Sequence, residues 1–130
     1  MRYGQVKRKT RRLNLNTRKV GAAKETLAAR LLEINGYRIV ARNFRCKLGE
    51  VDIIAEKDEY IVFVEVKYRK SIKNGFPMEA VNYKKQSIIS SVSDYYRIRY
   101  NLPDNVKIRY DVVAILEGKY KIIENAFSHT

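Results

Sequence analysis

The sequence is poor in the side chains that form disulfide bonds and zinc sites. Cys46 is the only cysteine and His129 the only histidine among the 130 residues. A single cysteine excludes an internal disulfide and leaves no thiolate cluster for zinc. These absences favour a reducing, cytoplasmic setting. A bound metal would need oxygen ligands, which favours Mg²⁺ or Mn²⁺.

Long hydrophobic segments are also absent. No apolar run approaches the ~20 residues that span a bilayer, and the first twenty residues lack the apolar core of a signal peptide. We therefore expect neither membrane insertion nor export. The arginine-rich start leaves an organelle transit peptide as an alternative, although its lack of serine counts against that reading. With no repeat and no linker rich in Pro, Gly or Ser, the chain suits one domain.

Acidic residues are missing from the N-terminal part of the chain. Residues 1–24 hold nine Lys or Arg and no acid, so residues 25–130 carry only +4 of the total charge of +13. We predict a flexible basic arm over residues 1–16 and a single domain over residues 17–130. Such an arm is typical of proteins that contact nucleic-acid phosphates, while a solubilising tail or a ribosomal-type extension has the same composition. The candidate phosphate-binding residues are Lys7, Arg8, Lys9, Arg11 and Arg12.

Hydrophobic periodicity predicts an α/β fold. A helix from about residue 19 to 34, stopped by Asn35-Gly36, precedes three strands, a second helix and two further strands. This order predicts a mixed central sheet packed between helices. The predicted strands are residues 37–42, 50–56, 60–68, 106–116 and 120–123, and the second helix is 78–99.

Two predicted strands bring carboxylates together. Only residues 57–59 can form the turn between the second and third strands, so Lys57 is predicted to pair with Tyr60. The residue numbers of every pair in this hairpin then add up to 117. Asp52 then lies opposite Glu65, and Glu50 opposite Lys67, all on one face. Opposed residues have Cβ atoms roughly 4.5–5.5 Å apart, and like charges at that distance are destabilising. Two such carboxylates need a proton or a divalent cation between them.

A solvated outer face of an ordinary hairpin is the alternative explanation of these charges. That face should then be polar along its length. Instead it also carries Ile54, Ile61 and Phe63, and the opposite face carries Val62, Val64 and Val66. The third strand is therefore apolar on both sides and predicted to be central, with its charges at one end. This placement favours a functional site.

A third carboxylate is predicted to face the core. By helical phase, Glu25 lies on the side of Ala28, Ala29 and Leu32. Three oxygen ligands and the ammonium of Lys67 suit phosphodiester hydrolysis. The metal would polarise the phosphate and lower the pKa of its water, and the lysine would position the nucleophile or stabilise negative charge.

Several segments resemble a known family. "GEVDIIA" followed by "FVEVKYR" is similar to the Asp…Glu-x-Lys signature of restriction-endonuclease-like, PD-(D/E)xK nucleases. The set resembles most closely the YraN family of predicted endonucleases, which is related to archaeal Holliday-junction resolvases. The resemblance covers residues 21–127, with Val51 in place of the superfamily's proline and with "NGFP" at residues 74–77 differing in order from the family's usual turn. It also includes "GAAKETLAARLLEINGYRIVARNFR", "PMEAVNYKKQ", "RYDVVAI" and the terminal "NAF".

The resemblance implies an αβββαβ nuclease core and assigns roles to its residues. Asp52 and Glu65 would bind the metal with the backbone carbonyl of Val66, Lys67 would be the catalytic lysine, and Glu25 the acid from the helix. The implied activity is Mg²⁺- or Mn²⁺-dependent hydrolysis of DNA, with branched DNA among the substrates. Related resolvases act as dimers, so a homodimer is one suggested state. The alternatives are a non-catalytic nucleic-acid-binding protein with this fold and a basic structural protein of a ribonucleoprotein.

Three other charged residues have ordinary explanations. Lys85 lies on the inner side of the second predicted helix, where it could reach a phosphate or extend past the core to solvent. Asp111 alternates with core residues, which favours a salt bridge to a nearby arginine. Glu50 is expected to pair with Lys67 or to cap the turn.

Overall fold

The computed structural model describes residues 17–69 and 81–130. Three parts of the sequence predictions lie outside these ranges. They are the basic arm with its candidate residues Lys7, Arg8, Lys9, Arg11 and Arg12, the "NGFP" segment, and the predicted start of the second helix at residues 78–80.

Two helices and five strands follow the predicted order. Helix α1 spans Thr17–Ile34 and helix α2 spans Tyr83–Arg99. Helix α1 ends at Asn35-Gly36 as predicted, and Gly36 has a φ of +92°, which glycine adopts without strain. Within the described ranges, no helix is both long and apolar enough to cross a bilayer. The strands are β1 (Arg38–Cys46), β2 (Gly49–Lys57), β3 (Tyr60–Arg69), β4 (Lys107–Leu116) and β5 (Lys119–Phe127).

The five strands form one mixed sheet in the order β1-β2-β3-β4-β5, with β3 in the centre. Strands β3 and β4 are parallel, so the chain must cross over between them, and α2 lies in that crossover. The other neighbouring pairs are antiparallel. The predicted α/β class with a mixed central sheet is confirmed.

Each face of the sheet has its own core. Helix α1 packs through Ala28, Leu31 and Leu32 onto the face that carries Val62 and Val64. Helix α2 covers the opposite face, where Ile89 and Val92 join Val51, Ile54 and Phe63. Strand β3 is therefore apolar on both sides, as its sequence predicts, and charged groups at its C-terminal end are held by a rigid central strand.

Candidate active site

Asp52 lies where the pairing of β2 with β3 ends. Backbone partners run from Lys57 opposite Tyr60 to Ile53 opposite Val64, which confirms the predicted register over these residues, while the predicted pair of Asp52 with Glu65 lies just beyond the last one. Beyond Ile53, the backbone N–H of Val66 donates to Asp52 Oδ2 at 2.8 Å. The Asp52 side chain thus accepts a β3 amide, and this bond fixes its carboxylate against the central strand.

Glu65 is a buried charge with two amines beside one of its oxygens. The residue is only 5% exposed. Lys67 Nζ lies 3.5 Å and Lys85 Nζ 4.0 Å from Glu65 Oε2. Lys67 shares the β3 face of Glu65 because the side-chain period of a strand is two, whereas Lys85 comes from the first turn of α2. Glu65 Oε1 is buried and has no hydrogen-bond partner among the described residues.

The surroundings of Glu65 disfavour the ionised form of its carboxyl group. Burial, and then the negative charge of Asp52, raise the pKa of Glu65 to about 7, although Lys85 and Lys67 act in the opposite direction. A hydrogen bond between the Asp52 and Glu65 carboxyls requires a proton shared by the two groups. When both are ionised, Glu65 Oε1 can be satisfied only by a cation or a donor from outside this set of residues.

Asp111 shows how this sheet accommodates a buried acid that has a structural role. Its side chain is fully buried. Tyr37 Oη donates to Oδ2 at 2.6 Å, Arg109 donates to both oxygens at 2.9 Å, and the Asn125 amide donates to Oδ1 at 2.9 Å. The predicted salt bridge to an arginine is confirmed. Both Asp111 oxygens are satisfied by protein donors, whereas Glu65 Oε1 has none in the part of the chain that the structure describes.

The Asp52–Glu65 pair fits a small divalent cation. Mg²⁺ is usually bound by one or two carboxylates, with the remaining ligands from water and substrate phosphates. Asp52 and Glu65 are carboxylates that would serve in this way, and Glu65 Oε1 is the buried oxygen that a cation would satisfy. Two oxygen ligands without His or Cys favour Mg²⁺ or Mn²⁺ over zinc.

The third predicted ligand is not part of this group. Glu25 is half-buried on α1, and its Oε1 accepts a hydrogen bond from Asn43 Nδ2 of β1 at 2.6 Å. Across residues 17–69 and 81–130, no three His, Cys, Asp or Glu side chains are grouped closely enough to hold a metal. Helical phase directed Glu25 to the sheet side of α1, but it did not specify which strand the side chain would meet.

The predicted partner of Glu50 is wrong. Glu50 lies opposite Arg45 on β1, and Arg45 Nε is 3.0 Å from Glu50 Oε1 at the surface. The β2–β3 ladder has ended before Glu50, since its last pair is Ile53 with Val64. Lys67 therefore contacts Glu65 of its own strand instead.

The sequence predicts Lys85 as an inward-facing lysine and a candidate nucleic-acid-binding residue. The parallel pairing of β3 with β4 places α2 over the face that carries Glu65, and this brings Lys85 to the carboxylates. Its backbone N–H donates to the N-cap Asn82 Oδ1 at 2.8 Å, so the helix starts just before it. Periodicity predicted the direction of Lys85, and only the strand order shows what it faces.

The family model described as "Uncharacterised protein family UPF0102" matches residues 24–115. The chain belongs to this family. The matched range contains Asp52, Glu65, Lys67 and Lys85, as well as Glu25, so the whole candidate site lies within the UPF0102 region.

Three UPF0102 relatives match nearly their whole length. A UPF0102 protein of Lachnoclostridium phytofermentans is 46% identical over 87% of this chain and 96% of its own. One of Caldicellulosiruptor bescii is 50% identical over 83% of this chain and 92% of its own. One of Clostridioides difficile is 43% identical over 87% of this chain and 100% of its own. This chain is therefore similar to complete UPF0102 proteins.

Proposed function

We propose that this UPF0102 protein hydrolyses phosphodiester bonds of DNA with a divalent cation held by Asp52 and Glu65. The observation that carries the proposal is the buried Glu65 Oε1, which has no hydrogen-bond partner within residues 17–69 and 81–130 and lies beside a second carboxylate. Buried acids in this sheet can be fully satisfied by protein groups, as Asp111 is. An unsatisfied acid next to another acid is expected where a cation binds.

The arrangement of strands and charges supports the nuclease class. Asp52 lies on β2, Glu65 and Lys67 lie at the end of β3, and Lys85 follows on the crossover helix. This order resembles that of restriction-endonuclease-like, PD-(D/E)xK nucleases, and we infer that UPF0102 proteins belong to that superfamily. Val51 occupies the position of the superfamily's proline without disturbing the core, because its side chain is buried under α2.

Each residue then has a role that follows from its position. A bound Mg²⁺ or Mn²⁺ would act as a Lewis acid toward the phosphate and would lower the pKa of its water. Asp52 and Glu65 hold the cation, and the Val66 amide keeps Asp52 in place. Lys67, beside the carboxylates, positions the attacking water or stabilises charge that develops on the phosphate. Lys85 is placed to bind a phosphate oxygen.

A non-catalytic nucleic-acid-binding protein is the second candidate. It is favoured by one observation: Lys67 and Lys85 both lie within 4.0 Å of Glu65 Oε2 and partly neutralise the two acids without a metal. In that case the two acids and the two lysines would only stabilise the fold, and the excess of basic residues would bind phosphates without cleavage.

A cleavage assay separates the two candidates. Purified protein is incubated with end-labelled single-stranded, duplex, flap and four-way-junction DNA and with matched RNA, in Mn²⁺, in Mg²⁺ and in EDTA. We expect cleavage of at least one DNA substrate in Mn²⁺ and none in EDTA. Asp52→Asn should remove the activity, whereas the exposed Glu50→Gln should retain it. Binding to these substrates without metal-dependent cleavage would contradict the proposal.

A further inference from the structure

A groove with an exposed aromatic wall lies along the first half of α2. The groove is shallow and open to solvent, with a volume of about 390 Å³. Two of its large apolar side chains face solvent, since Tyr83 is 71% and Leu48 is 52% exposed. The core of the protein does not use the Tyr83 ring. The described residues that line the groove are Leu48, Tyr83, Lys84, Ser87, Ile88 and Ser91.

The groove walls are held in a fixed relation to each other. Leu48 lies in the turn between β1 and β2, next to Gly49, which has a φ of +143°. A Cβ atom at Gly49 would lie 2.5 Å from Ile88 Cγ2 of α2, closer than packed atoms can approach. Only glycine allows the hairpin to pack this closely against the helix. The tip of the hairpin and α2 therefore form a preformed groove.

The lining suits one strand of nucleic acid. Tyr83 offers an aromatic face, Leu48 and Ile88 offer an apolar surface, Lys84 offers a positive charge, and Ser87 and Ser91 offer hydroxyls. Among the described residues that line it, none is acidic. Aromatic rings bind unpaired bases by stacking, and lysines bind the adjoining phosphates. A paired base within a duplex does not expose its face to such a ring.

The groove begins beside the candidate active site. Tyr83, Lys84 and Lys85 are consecutive in the first turn of α2, and Lys85 Nζ lies 4.0 Å from Glu65 Oε2. Tyr83 and Lys85 are separated by about 3 Å along the helix axis and by about 200° around it, so their side chains leave opposite sides of the first turn. Lys84 lies between them and lines the groove. A strand with a phosphate at the carboxylate pair would therefore have to pass around this turn to reach the Tyr83 ring.

We propose that this groove is a nucleotide subsite that stacks an unpaired base of the DNA substrate on Tyr83. The inference rests on the proposed function for the choice of DNA, and it narrows the substrate class. The protein selects DNA that has an unpaired nucleotide near the site of cleavage, such as a flap, a bulge or a single strand, over continuous duplex.

The subsite is tested by binding, so the test does not depend on catalysis. Fluorescence anisotropy in EDTA compares a labelled continuous duplex with the same duplex carrying a single-stranded flap. We expect Tyr83→Ala to weaken flap binding by about 5- to 100-fold, the range typical of losing one stacked base, and duplex binding by less than about twofold. Tyr83→Phe should retain flap binding because the ring remains. Tyr100→Ala removes a half-exposed ring at the other end of α2 and should retain it as well.

The outcomes distinguish this inference from the proposed function. Equal binding of both substrates by Tyr83→Ala and the wild-type protein, or equal weakening on both, would overturn the subsite. So would a change in oligomeric mass without a change in flap affinity, which would make the groove a protein interface. Failure of the wild-type protein to cleave any DNA in Mn²⁺ would reject the proposed hydrolysis, while the anisotropy comparison would still decide whether the groove binds an unpaired base.

Discussion

Replacing Lys67 with alanine is expected to reduce DNA cleavage in Mn²⁺ by at least about 100-fold, the usual cost of removing one preorganised electrostatic group from an active site. Affinity for the same DNA should change by less than about threefold, because a single phosphate contact contributes only part of the binding. Lys67 is the amine nearest to Glu65, at 3.5 Å, and it lies at the end of the central strand. Single-turnover cleavage and anisotropy on one preparation provide both measurements.

Lys107→Ala is the matched control for this change. Lys107 is exposed at the start of β4, opposite Tyr60, and therefore lies at the other end of the sheet from Lys67. Its ion pair with Glu59, at 3.7 Å, is at the surface, where such pairs contribute little. The control should cleave at the wild-type rate. Wild-type cleavage by Lys67→Ala would remove this lysine from the mechanism, and an equal loss in both variants would indicate a general effect of charge.

Replacing Glu65 with glutamine is expected to stabilise the metal-free protein at pH 8. The pKa of Glu65 is about 7 in the folded state, against an ordinary value of 4.5. The raised pKa means that the folded state disfavours the ionised form of Glu65. Ionised Glu65 therefore lowers the free energy of unfolding of the wild-type protein, and this loss is fully present above pH 7. It is relieved as the pH falls from 7 to 4.5, where the folded state holds a proton that the unfolded state has lost. At about 1.4 kcal/mol per pKa unit, the difference between 4.5 and about 7 corresponds to an expected gain of about 3.5 kcal/mol at pH 8.

Urea denaturation in EDTA at pH 8 and at pH 4.5 measures this effect. The gain from Glu65→Gln should shrink toward zero at the lower pH, where glutamic acid is already neutral. Asp111→Asn is the contrasting control, because Asp111 has a full set of donors. Breaking its pair with Arg109 should cost about 3–5 kcal/mol. A loss of stability in Glu65→Gln at pH 8 would mean that Glu65 is a structural ion-pair residue like Asp111.

Strand alternation and hairpin pairing predicted the part of the site that depends on two neighbouring strands. The turn at residues 57–59 fixed the register of β2 with β3 as far as Ile53. Side-chain alternation predicted Asp52, Glu65 and Lys67 on one face, but alternation is interrupted beside Asp52, since Val51 packs under α2 and Ile53 packs under α1. Glu50 was misassigned because the ladder stops at Ile53 and Asp52 then accepts the Val66 amide. Hairpin pairing does not predict that a side chain, here that of Asp52, accepts a hydrogen bond from the backbone of the neighbouring strand.

Longer-range placement could not be predicted from periodicity. The side of α1 that carries Glu25 was predicted, but its contact with Asn43 depends on how α1 crosses β1. Strand β5 extends past its predicted end to Phe127 because the Asn125 amide, in a residue with positive φ, bonds Asp111. No local pattern in "ENAF" marks that bond. The Tyr83 groove likewise depends on the approach of the β1–β2 hairpin to α2.

Manganese binding is the decisive measurement, because Asp52 and Glu65 are proposed to share one cation. Titration of Mn²⁺ into DNA-free protein at pH 8, followed by electron paramagnetic resonance of the free ion, counts the bound equivalents. We expect one site per chain in the wild-type protein and in Glu50→Gln, whose carboxylate is paired with Arg45. We expect that site to be lost in Asp52→Asn and in Glu65→Gln. Equal binding by all four proteins, or no binding by the wild-type protein, would contradict the account.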